Sequence, residues 1–251
     1  MAIDWDLLDE DCSDISDWVN GDFDTGVSEV DPAGQFRFDT NLGAAGNGYA
    51  YRYRDIGALP NTFTVEIKVY HDDIGTLAND DYFALIFEQA VERLWVKIGS
   101  DGCFISDTGS GWTEVGTDLV KEGGSAELQT WRFLITFTGT PGEGTCDVYL
   151  DDSTHNWEKV GTAIPCGDVG AFIDGAIRIA LFGYTTDNIV THVDYIKIAT
   201  GLYIPTPEAN PYPTYLLNKN RISGYHCFVD QYTRAKRTGY DPLKLPDGTL
   251  F

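Results

Sequence analysis

The sequence is short of positive charge, of cysteine and of long apolar runs, and each shortage closes off a class of function. Its 251 residues hold 17 Lys and Arg against 39 Asp and Glu, a formal charge of −22. Phosphate binding is driven by Lys and Arg, so this balance argues against nucleic acid as a partner and equally against anionic membrane surfaces. No stretch approaches the roughly 20 apolar residues of a membrane span. The start, MAIDWDLLDEDC, has no basic segment followed by an apolar run and does not read as a signal peptide. The expectation is a protein made in the cytoplasm that stays soluble or is assembled into something larger. The five cysteines (Cys12, Cys103, Cys146, Cys166 and Cys227) are odd in number, widely spaced and without a Cys-x-x-Cys pair. A disulfide framework or a zinc site therefore finds little support. Cys103 and Cys146 lie inside strand-like runs and are expected as small core residues. Helical periodicity is nearly absent, and there is no Gly-x-Ser-x-Gly elbow or glycine-rich phosphate loop.

What is present is alternation of period two. In TFTVEIKVY, Phe63, Val65, Ile67 and Val69 share one face and Thr64, Glu66 and Lys68 the other. In QTWRFLITF, Trp131, Phe133, Ile135 and Phe137 alternate with Arg132, Leu134 and Thr136. Similar runs occur at 34–40, 48–54, 81–88, 93–99, 103–106, 146–151, 177–184 and 192–198, broken by NGDFDTG, GSDG, GTPGEG and TTDN. Gly, Asn and Asp supply the backbone angles that tight turns need. More than ten short strands with turns between them predict an all-β antiparallel sandwich, because one sheet alone cannot bury so many apolar faces.

The character changes after residue 200. Pro205, Pro207, Pro211 and Pro213 predict an extended arm, followed by a Tyr-rich, slightly basic stretch. Residues 201–251 carry +2, which leaves −24 on residues 1–200. Tyr212, Tyr215, Tyr225, Phe228, Arg234 and Arg237 are the expected docking residues of this arm, since disordered tails are normally poor in aromatics. The predicted organisation is a sandwich over 1–200 and a docking arm over 201–251 that meets a protein partner or symmetry mates.

The segments DEDCSDISDWVNGD, TFTVEIKVY, GTLANDDYF, TWRFLITFTG, CDVYLD and HVDYIKI occur in an order that resembles the concanavalin A-like lectin/glucanase superfamily, which includes laminin-G-like modules. The resemblance covers about residues 4–200 and none of the arm. It implies a jelly-roll sandwich of two curved sheets, a glycan on the concave sheet, and a structural calcium near the chain's ends. Glucanases of that superfamily carry Glu-x-Asp-x-x-Glu on one strand. The nearest match here, Glu29-Val30-Asp31-Pro32-Ala33-Gly34, lacks the third acid and reads as a turn. Glu88 and Glu92 read as the solvated rim of a hairpin. His71, His155, His192 and His226 fall in no Gln-x-His pattern and are expected at strand ends or on the surface. No pair of carboxylates or triad is recognisable, so the expectation is a non-enzyme.

For calcium, the resemblance points to an aspartate on the last strand, here Asp194, with oxygens from Asp9, Glu10, Asp11 and Asp14. Asp194 shares strand parity with Ile196 and Ile198 and is expected to point inward, either toward a cation or toward backbone donors. Cys12 stands where the family usually has Phe. For glycan stacking the candidates are Tyr49, Tyr51 and Tyr53, which share one face of GYAYRYR, together with Trp112 and Trp157 in turn-rich stretches. An aromatic stripe is also what a core looks like, so both readings of the tyrosines stand; Trp95 and Trp131 read as core. The functional expectation is a non-catalytic decorating component of a larger assembly, of the phage-virion surface type. It would display a lectin-like sandwich and be held by its arm. A carbohydrate-binding module or adhesin is the alternative, and a glycoside hydrolase or polysaccharide lyase ranks below both.

Overall fold

Alternation of period two becomes fifteen strands among the described residues. They are β1 (Leu8–Glu10), β2 (Val19–Asn20), β3 (Val27–Val30), β4 (Phe36–Asp39), β5 (Tyr49–Asp55), β6 (Thr62–Asp73), β7 (Tyr82–Gln89), β8 (Glu92–Gly99), β9 (Gly102–Ser106), β10 (Trp112–Gly116), β11 (Gln129–Thr136), β12 (Gly144–Asp151), β13 (Glu158–Cys166), β14 (Arg178–Tyr184) and β15 (Val190–Thr200). The computed structural model describes residues 3–24, 26–40, 49–75, 82–89, 92–100, 102–106, 111–116, 119–140, 143–167, 178–184 and 189–206. All of these belong to one unit, Met1–Pro207. The expected docking residues Tyr212, Tyr215, Tyr225, Phe228, Arg234 and Arg237 lie outside the described residues.

The strands form two antiparallel sheets. One has eight strands in the order β13-β12-β11-β6-β15-β4-β3, with β1 also paired to β15. The other has seven, in the order β10-β9-β8-β7-β14-β5-β2. The long strands β6 and β15 run side by side through the middle of the first sheet, with Ile67 opposite Ile196 and Val65 opposite Ile198. The jelly-roll sandwich expected from the sequence is the fold observed.

The core lies between the sheets. Phe63, Val65, Ile67 and Val69 of β6, and Trp131, Phe133 and Ile135 of β11, are buried from one side. Phe83, Leu85 and Phe87 of β7, with Leu94, Val96 and Ile98 of β8, are buried from the other. Phe63 meets Phe87 edge-on at 5.8 Å between ring centroids, and Phe38 meets Phe83 at 5.7 Å. Each such ring withdrawn from water contributes about 1.5–3 kcal/mol. Cys103 and Cys146 are buried in this core, as their setting in the sequence predicted, and burial pushes both thiols well above the usual range.

His71 lies near the end of β6, as expected, but not at the surface. It continues the inward parity of Val65, Ile67 and Val69 and is fully buried, with Nδ1 2.9 Å from the Thr191 hydroxyl. Burial, and secondarily the charge of His192, lowers its pKa to about 3. His192 is also buried; its ring stacks on Tyr70 at 4.5 Å and its Nε2 lies 3.1 Å from Asp72.

A histidine held neutral in the fold but free to protonate when unfolded stabilises the protein fully above pH 6.5, and that contribution is lost as pH falls toward 3. At pH 5 the loss amounts to roughly 2 kcal/mol. Chemical unfolding at pH 7 and pH 5 should show this slope, and His71→Asn should flatten it. An unchanged slope in the variant would remove His71 as its source.

Candidate functional site

The seven-stranded sheet has one face in the core and one face out. Because Phe83, Leu85, Phe87, Leu94, Val96, Ile98, Cys103 and Ile105 point inward, the residues between them point outward. Those outward residues are aromatic to an unusual degree. On β5 they are Tyr49, Tyr51 and Tyr53; on β7, Tyr82, Ala84 and Ile86; on β8, Trp95 and Lys97; on β9, Phe104; on β10, Trp112. Register lines them up in rows. Tyr51 and Ala84 each pair with Phe182 of β14, Ala84 also pairs with Lys97, and Lys97 with Phe104. In the next row Tyr53 and Ile86 pair with Ala180, and Ile86 with Trp95.

The edge strand β2 extends the band. Val19 pairs with Tyr53, and Phe23 bridges to Tyr49 with its ring stacked on the tyrosine at 5.0 Å. Phe23 is 55% exposed, and Trp112, at the opposite edge, 37%. Between Val19 and Phe23 comes Gly21, whose N–H donates to the Tyr51 carbonyl. A Cβ at residue 21 would fall 2.2 Å from the Tyr51 ring, so the ring can take this position only because residue 21 has no side chain. Six spacings of about 4.8 Å between seven strands make the face roughly 29 Å wide.

At its centre Tyr82, Ala84 and Ile86 are buried under their neighbours, with Tyr51, Tyr53 and Trp95 half-buried around them. Trp95 meets Trp112 edge-on at 6.3 Å. The Lys97 ammonium lies 3.8 Å from the Tyr82 ring centroid, 4.1 Å from that of Trp112 and 5.4 Å from that of Trp95.

Four of the five expected stacking residues, Tyr49, Tyr51, Tyr53 and Trp112, are thus brought to one face; the tyrosines lie outside the core between the sheets, with Tyr51 and Tyr53 packed half-buried against the small cluster of Tyr82, Ala84 and Ile86. Trp112 sits on a strand rather than in a turn. Trp95, expected in the core, faces outward; Trp131 is in the core as expected. Lys97 shares Trp95's parity in RLWVKIG, and that was the available signal, since a lysine seldom accompanies an inward tryptophan. Tyr82 gave no such signal, because both parities of DYFALIFE are apolar.

Trp157 belongs elsewhere. It lies on the outer side of the eight-stranded sheet, with the Arg132 guanidinium 4.3 Å from its ring centroid. Arg132 also donates to Glu66 through Nε at 2.7 Å, and Glu66 accepts from the Tyr195 hydroxyl at 2.7 Å. Burial, followed by the charge of Glu66, raises the Tyr195 phenol far above its usual pKa. Residues 201–206 run across this network. Gly201 accepts from the Thr64 hydroxyl, Thr64 accepts from the Tyr203 N–H, and Tyr203 accepts from Arg132. The first residues of the expected arm therefore lie on the sheet they leave.

The calcium set does not assemble. The register of β15 on β6 slips between Val193 and Tyr195, so a bulge turns Asp194 out of the inward series that Val193, Ile196 and Ile198 keep. Its carboxylate pairs with the Lys68 ammonium at 2.8 Å and accepts from the Gln35 amide at 3.2 Å. Glu10 accepts from the Trp18 indole and the Cys12 N–H, and pairs with Arg54 at 3.3 Å. Asp11 and Asp14 accept from the N–H groups of Ser13 and Ser16 in their own turns. Asp9 pairs with Lys197. Among the described residues no group of three or more Asp, Glu, His or Cys gathers as a metal site. A lysine on Asp194 supplies the positive charge that a cation would bring, so these residues do not fit calcium.

No protein-family profile and no curated protein matches this chain in sequence. Solved structures do match in shape. A seed lectin of Lotus tetragonolobus superposes with a TM-score of 0.50 at 8% identity, covering 76% of this chain and 96% of the lectin. The Emp46p carbohydrate recognition domain follows at 0.46 and 12%, covering 75% and 90%. A glycosyl hydrolase family protein from Mycobacterium fortuitum gives 0.47 and 11%, covering 79% and 100%. The fold is that of the concanavalin A-like lectins and glucanases.

Within this concanavalin A-like sandwich the acids stand at the margins of the aromatic face. Glu114 of β10 is three strands and four residues of register from Glu88 of β7, roughly 20 Å away. Glycosidase carboxyls stand about 5–9.5 Å apart. Asp55 of β5 and Glu88 of β7 are closer, in register across β14 and two strand spacings apart, roughly 10 Å. Glu29, in the nearest match to the glucanase signature, lies on β3 of the other sheet, paired with Arg37 at 2.9 Å. His155 sits in the loop after β12, its Nδ1 2.9 Å from the Asp152 carboxylate.

Because the Lys68–Asp194 pair stands in place of a metal, adding EDTA should leave the melting temperature unchanged to within about 1 °C. Asp194→Asn should cost about 1 kcal/mol or less, as fits a partly exposed ion pair. A drop of several degrees on chelation, restored by calcium, would show that these residues do hold a cation.

Proposed function

We propose that this protein binds glycan on the aromatic face of its seven-stranded sheet, and that it does so as a displayed, non-catalytic component of a larger assembly. The observation that carries the binding reading is the set of aromatic side chains that share this face, Phe23, Tyr49, Tyr51 and Tyr53 toward one edge and Trp95 and Trp112 toward the other. Sugar rings offer flat C–H faces that stack on aromatic side chains, and hydroxyl edges that need polar partners at the rim. A band wider than one sugar suits a chain of several. The nearest match to the glucanase signature supports binding over hydrolysis, since its Glu29 lies on the other sheet, paired with Arg37.

The assembly reading rests on residues after 200. Leu202, Tyr203 and Ile204 are exposed, Ile204 by 68%, where the chain leaves the sandwich. Beyond them come the prolines and the aromatic, slightly basic sequence that the acidic body lacks. Proline-stiffened segments lose little entropy on docking. The reading is an attachment arm for a partner protein or a symmetry mate, in a virion or comparable particle.

On a glycan array, Trp112→Ala and Tyr51→Ala should each weaken the strongest signals about tenfold, the loss of one well-packed aromatic contact. Uniform silence of the native protein across the array would end the glycan reading. A reducing-sugar assay on the bound glycans should stay flat; product formation would instead make the protein an enzyme.

Removing residues 208–251 should leave a monomer that still binds glycan but no longer joins its assembly, read by native mass. Assembly unaffected by the deletion would refute the arm.

A further inference from the structure

We propose that the aromatic face holds its glycan at two separate points, one at each edge, so that its ligand is a polysaccharide chain of about six or more sugar units laid across the strands. This rests on the glycan-binding reading of the same face and names the kind of glycan. The rings that meet solvent most stand at opposite edges. Phe23, 55% exposed, continues the lane of β2 beside β5, and Trp112, 37% exposed, opens β10 at the far side. Val19 of β2, 49% exposed, adds to the first edge. Between them Tyr82, Ala84 and Ile86 are buried, and Tyr51, Tyr53 and Trp95 are half-buried against that cluster. A ligand therefore finds its most open stacking surface at the two ends.

Each end is fixed before a ligand arrives. Phe23 exchanges backbone hydrogen bonds with Tyr49 in both directions, at 2.9 and 3.2 Å, and its ring stacks on the tyrosine. Asp22 secures the same segment, because its Oδ1 accepts from the Tyr51 N–H at 2.8 Å and from the Ser28 hydroxyl at 2.6 Å. Trp112 pairs with Ser106 of β9 and meets Trp95 edge-on. Rings held in this way lose little rotamer freedom on binding. An exposed carboxylate stands near each: Asp24 follows Phe23 in the chain, and Glu114 shares the parity of Trp112 on β10. A ring face beside a hydrogen-bond acceptor is complementary to a sugar, whose C–H face stacks while its hydroxyls donate. The spacing of the two ends then sets the ligand's length. Six strand spacings of about 4.8 Å separate the edges, and a sugar unit in an extended chain advances about one such spacing. A shorter chain touches one end only. A chain that reaches both makes its second contact intramolecularly, and its affinity rises without any new kind of contact.

The test is titration calorimetry of the full-length protein with oligomers of two, four, six and eight units from β-1,4-glucan, β-1,3-glucan, chitin and β-1,4-mannan. The expected result is a step: in a set that binds, affinity changes little from two units to four and rises at least about tenfold from four to eight. Phe23→Ala and Trp112→Ala should each bring the eight-unit oligomer down to the affinity of the four-unit one. Each should leave the four-unit affinity within about twofold, because the remaining edge still takes it. Melting curves of both variants show that the fold is intact. Affinity that grows evenly with every added unit, that is complete at two units, or that survives at eight units in either variant overturns the two-point site while leaving the glycan reading in place. No binding of any set overturns both.

Discussion

The packing of one sheet on the other is the constraint from which the remaining features follow. Phe63 against Phe87 and Phe38 against Phe83 tie β6 and β4 to β7, and the branched side chains around them fill the layer between. A strand has only two sides. Once Phe83, Leu85 and Phe87 are committed inward, Tyr82, Ala84 and Ile86 must go outward, whatever their own affinity for water. The aromatic face is the other side of a decision made in the core.

The two outward faces resolve their exposure differently. The eight-stranded sheet covers its outer side with an ion-pair and hydrogen-bond network that includes Glu66, Arg132, Tyr195, Lys68 and Asp194, and lays residues 201–206 across part of it. A buried arginine–glutamate pair of this kind is satisfied by its further partners, here the Tyr195 hydroxyl and the Tyr203 carbonyl. The seven-stranded sheet keeps its outer side apolar, with rings lying against one another and around Lys97. An aromatic face whose edges at Phe23 and Trp112 are exposed is the feature that calls for a ligand.

Much of the fold could be read directly. Strand after strand appears in the sequence as alternating residues, and TFTVEIKVY and QTWRFLITF assign their inner and outer sides correctly. Short strands such as Leu8–Glu10, Val19–Asn20 and Val27–Val30 leave no mark in the sequence, because two to four residues give no period to count. The site was partly legible. The shared parity of Tyr49, Tyr51 and Tyr53 is a property of the chain, but which way that parity points is not, since rings fill cores as readily as they line surfaces. Trp95 was misplaced for the same reason, and Asp194 because a bulge in the register changes parity without leaving a mark on the residues around it.

What the sequence determined by itself was the class of structure and the classes of function it closes off: period-two alternation, turn residues, acidic balance and scarce cysteine are all local or additive properties. What only the tertiary structure decided was which residues meet. Tyr51 on β5, Tyr82 on β7, Trp95 and Lys97 on β8 and Trp112 on β10 come from segments up to 61 positions apart. They form one face because the sheet order β10-β9-β8-β7-β14-β5-β2 places their strands in one sheet, with at most one strand between neighbours in the set. Strand order and register are set by the mutual fit of two whole sheets, and no window of the chain contains that fit.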